Sequence, residues 1–158
     1  MGMYCEKGDG VMPGISNHFD AMTGIKDIID ALSLTGLAGG TVIQEVATYL
    51  DGSTTLPFVS ISPYGPEKVG DEFNDQDGAY YGILVTLVAK PDIAGLEMRL
   101  GWRQTMRRHL NNTSITGLGQ NYNLLVEPGN VVEHQAWFDR NAFVSGFVVR
   151  AFFQEPRT

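Results

Sequence analysis

The chain has 158 residues, enough for one domain with a real core. It is 43% hydrophobic and 18% charged, and 18 Asp and Glu against 11 Lys and Arg leave a net charge of −7. That balance argues against a surface that binds nucleic acid all over, because phosphate binding needs a concentrated positive field; it leaves room for a local basic patch.

Nineteen glycines and seven prolines favour turns and strands over a helical bundle. The single Cys5 makes no internal disulfide, so the fold does not depend on an oxidising compartment. No apolar run approaches the ~20 residues that span a membrane. Met1-Gly2 opens like a myristoylation signal, but Glu6 stands where Ser or Thr is required. No basic-then-apolar leader pattern is present, and the expected setting is a cytoplasm.

Residues 1–21 hold Gly8, Gly10, Pro13 and Gly14 and show no period. They read as a flexible N-terminal arm on a single domain spanning 1–158. Ile25, Ile28, Ile29 and Leu32 then share one face, with Lys26, Asp27 and Asp30 outside. This predicts an amphipathic helix with Thr23 as its N-cap and Gly36, Gly39 and Gly40 past its end. Residues 41–50 fit either period, and their Val, Ile, Thr and Tyr content favours extended structure.

A short strand is predicted over 58–62, closed by Pro63. Residues 67–78 are acidic and read as irregular, with Asp71, Glu72, Asp75 and Asp77. A calcium loop fails here: with Gly78 as the loop glycine, Phe73 falls on the first ligand position and Leu84 on the last. Residues 79–89 carry the strongest strand signal, Tyr81, Ile83, Val85 and Leu87 alternating with Tyr80, Leu84, Thr86 and Val88. This strand and 58–62 are expected to form a long-looped hairpin.

A second helix is predicted over 91–112. Pro91 and Asp92 suit its start, and Met98, Trp102, Met106 and Leu110 form its buried stripe. Arg99, Arg103 and Arg107 make a parallel line beside that stripe. Residues 111–120 read as a loop, 122–127 as a strand, 128–140 as a crossing loop and 143–153 as a long strand. In that last strand Phe143, Phe147, Val149 and Phe153 point one way and Val144, Val148 and Phe152 the other, so both faces are apolar and the strand belongs at the centre of a sheet. The expected class is α+β, a mixed or antiparallel sheet packed with two helices.

No catalytic or metal constellation emerges. His18, His109 and His134 stand singly and, with Cys5, give no zinc spacing. No nucleophile elbow or phosphate loop is present, and no cofactor is expected. The arginine line has three readings: stems covering apolar surface with the heads paired at home, a subunit contact against the acidic Asp71, Glu72 and Asp75 segment of an identical neighbour, or contact with DNA phosphates. Trp137 and Phe138, with Phe143 and Phe147, form an aromatic cluster that is either core or interface.

The run from Val132 through His134, Trp137, Phe138, Arg140, Phe143 and Phe147 to Arg150, closing on Gln154-Glu155-Pro156-Arg157, resembles small neck proteins of tailed bacteriophages, of the tail-terminator and head–tail joining type. The order of elements agrees from Thr23 to Arg157. The resemblance implies a non-enzymatic virion protein, assembled in a host cytoplasm, that forms a closed ring, usually of six subunits, on the tail tube; the alternatives are a head-completion or stopper protein of the neck, or a small α+β ligand-binding or enzyme domain with its pocket over the sheet. The resemblance also implies contacts with tube and head-side connector proteins, with DNA passing through the channel and no membrane involved. A net negative charge would suit such a channel, since a positive lumen would hold DNA. No residue motif defines a site in that family, so no catalytic residue carries over. The subunit-contact candidates are Arg99, Arg103, Arg107, Trp137, Phe138, Asp71, Glu72 and Asp75.

Overall fold

The structure, a computed structural model, describes residues 16–45, 55–69, 76–90, 95–117, 120–127 and 129–156. The elements run α1 (Asn17–Ala31), β1 (Thr41–Ile43), β2 (Phe58–Pro63), β3 (Lys68–Val69), β4 (Gln76–Ala89), α2 (Gly95–Leu110), β5 (Thr113–Gly117), β6 (Gln120–Glu127), α3 (His134–Arg140) and β7 (Phe143–Pro156). All seven strands join one sheet in the order β1-β2-β4-β7-β6-β5, with β3 also pairing β4. The parallel β1–β2 pair makes it mixed; the other pairs are antiparallel. The fold is the expected α+β.

The two 14-residue strands β4 and β7 pair from Gln76↔Pro156 to Ala89↔Phe143 at the centre of the sheet. Their odd-numbered residues face α1 and α2. Ile83, Val85, Leu87, Phe143, Phe147 and Val149 form the core there with Ala21, Met22, Ile25 and Ile29 of α1 and Trp102, Met106 and Leu110 of α2. The expected hairpin of β2 with β4 forms, in the register Phe58↔Val88. On the opposite face, among the described residues, Ala136 of α3 packs with Phe58, Val88, Ala142 and Val144 at one end.

Several boundaries differ from expectation. The first helix begins at Asn17, so residues 17–21 of the expected arm are helical; Ser16 is the cap, its Oγ accepting from the Phe19 amide at 3.0 Å. Thr23 sits inside the helix and donates to the Phe19 carbonyl at 3.1 Å. Residues 1–15, 46–50, 91–94 and 70–75 lie outside the described residues, and with them Pro91, Asp92, Asp71, Glu72 and Asp75. The stretch 67–78, expected to be irregular, contains β3 and the first three pairs of β4 with β7, Gln76↔Pro156 to Gly78↔Gln154.

The expected loop over 111–120 contains β5. It is a polar strand held to β6 by cross-strand side-chain bonds, Ser114 Oγ to Asn123 Oδ1 at 2.7 Å and Thr116 Oγ1 to Asn121 Oδ1 at 2.8 Å. The expected crossing loop over 128–140 contains the short helix α3. Asn112 and Asn141, with φ of 63° and 50°, follow α2 and α3 in the left-handed conformation that Asn tolerates.

Candidate functional site

A line of residues four apart drifts by about 40° per step around a helix of 3.6 residues per turn. Along α2 that drift decides which side chains face the sheet. Trp102, Met106 and Leu110 are buried, and so are Arg99 and Arg103, at 4% and 8% exposure. Met98, expected in the buried stripe, has drifted out one side and is 45% exposed. Arg107 has drifted to the other margin and is half-buried.

The arginine line therefore lies over β7. The Arg99 guanidinium sits 4.6 Å from the Phe143 ring centroid and that of Arg103 5.5 Å from Phe147, both within cation–π range. Arg103 Nη1 donates to the Gly146 carbonyl at 2.9 Å and to Ser145 Oγ at 3.2 Å; Nη2 reaches the Gly129 carbonyl at 3.5 Å. The head of Arg103 thus meets a ring and carbonyls, where the home-pairing reading expects a carboxylate. Burial pushes Arg103 below its ordinary pKa, and the nearby positive charge of Arg107 adds to that.

Gly129 and Gly146 meet because β6 parts from β7 after the pair Glu127↔Val148. The following chain runs along the freed edge of β7: Gly146 N donates to Asn130 O at 3.1 Å and Glu133 N to Val144 O at 2.8 Å. A Cβ on Gly129 would come within 2.5 Å of the Gly146 oxygen, so only glycine allows this approach. Between this segment and α2 opens a cleft of about 480 Å³ lined by Leu100, Arg103, Gln104, Arg107, Asn111, Val126, Gly129 and Val131.

The expected aromatic cluster is not one cluster. Phe143 and Phe147 lie in the core beneath α2, while Phe138 stands on α3, across the sheet, 79% exposed. The Trp137 side chain lies outside what the structure describes. The sheet face on Phe138's side carries Leu125 and Tyr64, 44% and 47% exposed. Arg150 on that face is ion-paired with Glu127, which raises its pKa, and lies 5.0 Å from the Tyr80 ring centroid.

The histidines are held singly. His18 Nε2 lies 2.9 Å from the Gly82 oxygen, with its ring stacked on Tyr81 at 4.7 Å; His109 Nδ1 lies 2.9 Å from Thr105 O. Among the described residues no group of three His, Cys, Asp or Glu side chains could hold a metal ion, and no helix is long and apolar enough to cross a membrane. What the described surface offers is an arginine-lined cleft, an exposed aromatic and a half-covered sheet face.

No protein-family model and no curated protein matches this sequence. Among solved structures the fold is similar to a chain in the virion of a native gene transfer agent (GTA) particle. The TM-score is 0.59 and the identity 18%, and the likeness covers 86% of this chain and 96% of that one.

Proposed function

We propose that this chain is a structural virion protein: a subunit of a ring at the head–tail junction of a phage-like particle, capping the tail tube as a tail terminator and joining it to the head-side connector. The observation that carries the reading is the likeness of fold to a chain of the gene transfer agent virion, along 96% of that chain's length. The phage-neck resemblance of the C-terminal run points the same way. On this reading the protein is not an enzyme and takes no cofactor. It works in the virion as a homo-oligomer, a hexamer by analogy, with tail-tube and connector proteins as neighbours and DNA passing through the ring without specific binding.

Closed rings need two different surfaces on each subunit that fit one another. Arg107 is proposed on one side of the contact, facing the carboxylates of Asp71, Glu72 and Asp75 of the neighbour, while Trp137 and Phe138, carried by α3 across the sheet from α2, are proposed as a separate contact. Arg99 and Arg103 support that surface from beneath, since both are buried within the subunit.

The test is the native mass of the purified protein together with negative-stain images of the same sample. Rings with a central hole are the expected result. A compact monomer at every concentration, still monomeric when mixed with tail tubes, overturns the reading.

A further inference from the structure

Among the described residues, Arg107 is the arginine of the line whose charge meets no partner. Among the described residues the ion pairs are Lys26–Asp30 and Arg150–Glu127, and Arg107 has neither an ion-pair nor a hydrogen-bond partner there. Arg103, one turn away, has its donors directed at Ser145, Gly146 and Gly129. The cleft these two arginines share is walled by Leu100, Val126 and Val131, with the amides of Gln104 and Asn111 on it. Half-burial beside a second guanidinium makes an unanswered charge costly, and an incoming carboxylate would relieve it.

We infer that this cleft receives a carboxylate side chain from a second copy of this chain, with Arg107 as its charge partner. Charge complementarity chooses the occupant. The chain carries 18 Asp and Glu against 11 Lys and Arg, so a second copy offers mainly negative surface to the arginine. The aliphatic walls suit a protein surface, which buries apolar groups around a central charge. The same charges fix the kind of contact. Cleft on cleft would set Arg107 against Arg107, so the cleft meets a different, carboxylate-bearing surface of the second copy; on the ring reading that contact is heterologous. This inference rests on the ring reading and names which surface of the subunit closes the ring.

Sedimentation over a concentration series tests it, on the wild type, Arg107→Glu, Arg107→Lys and Arg108→Glu. Arg108 is exposed and adjacent, and its reversal changes net charge equally. The expected result is about a tenfold or greater rise in the dissociation constant for Arg107→Glu, under about threefold for Arg108→Glu, and near-wild-type assembly for Arg107→Lys, with denaturation midpoints unchanged. Equal loss for both reversals, or none for either, overturns the cleft as a contact and leaves the ring standing. A wild type that never self-associates overturns both. Arg107-dependent retention on duplex DNA by the monomer assigns the cleft to phosphate and overturns the inference.

Discussion

Arg103 Nη1 lies 2.9 Å from the carbonyl oxygen of Gly146, joining the middle of α2 to the middle of β7 across the helix–sheet interface. The same guanidinium reaches Gly129 at 3.5 Å, so one side chain ties together three stretches of chain. Its loss would leave the part-buried Gly146 and Gly129 carbonyls without this donor, and the buried Ser145 hydroxyl without its partner. Arg103→Ala is expected to cost about 2–4 kcal/mol, read from the urea midpoint, and Arg107→Ala less than about 0.5 kcal/mol. Equal values for the two would show that the carbonyl contacts carry no stability. A charge reversal at Arg103 would set a carboxylate against the Gly146 carbonyl oxygen and disrupt the fold there, so it cannot serve as a probe of assembly.

Gly129 meets the backbone of β7, where neither partner can turn aside. Gly129→Ala should destabilise by about 1–3 kcal/mol and loosen the segment that covers the edge of β7. Hydrogen exchange at the Gly146 and Glu133 amides, both bonded in that segment, would report the loosening. Unchanged protection at both amides would refute it.

The 40° drift of α2 predicts unequal methionines. Met106 is fully buried and Met98 is 45% exposed. Truncation to Ala should cost about 2–5 kcal/mol at Met106 and below about 1 kcal/mol at Met98. Comparable losses in thermal or chemical melts would mean that the helix is rotated from its described orientation.

Phe138 projects from α3 into solvent, where it adds little to the stability of one subunit. Phe138→Ser should leave the denaturation midpoint within about 0.5 kcal/mol of wild type while weakening ring assembly or docking to tube or connector proteins. Unaltered assembly and docking would remove Phe138 from the interface.

Arg150 and Glu127 form an ion pair on the half-covered sheet face, with side chains 24% and 45% exposed. Solvent screening limits such a pair to about 0.2–1 kcal/mol. A double-mutant cycle of Arg150→Met with Glu127→Gln should return a coupling in that range, smaller at high salt. A salt-independent coupling of several kcal/mol would show that the pair is screened far less than its exposure implies.

The central strands were legible because their code is local. Alternation through Tyr81, Ile83, Val85 and Leu87, and through Phe143, Phe147, Val149 and Phe153, declares both a strand and its inner face. The four-residue repeat of α2 likewise declares a helix, and its drift, followed position by position, would have moved Met98 outward and brought Arg99 and Arg103 inward. Ser16 was a readable cap three residues before Phe19, and Ala21 and Met22 carry the period of Ile25 and Ile29 back towards it. The polar strand β5 and the seven-residue α3 were not legible. Their own side chains bury little, and each exists because a neighbour, β6 or β7, satisfies its backbone or covers its one apolar face. The cleft was hidden for the same reason. Residues 103, 129 and 146 are far apart in the chain and meet only where β6 leaves β7, and periodicity cannot say that the surface beneath an arginine line is made of aromatic rings and backbone carbonyls. Local pattern sets an element and its faces; which charge is consumed inside the fold, and which is left for a partner, depends on contacts between distant segments.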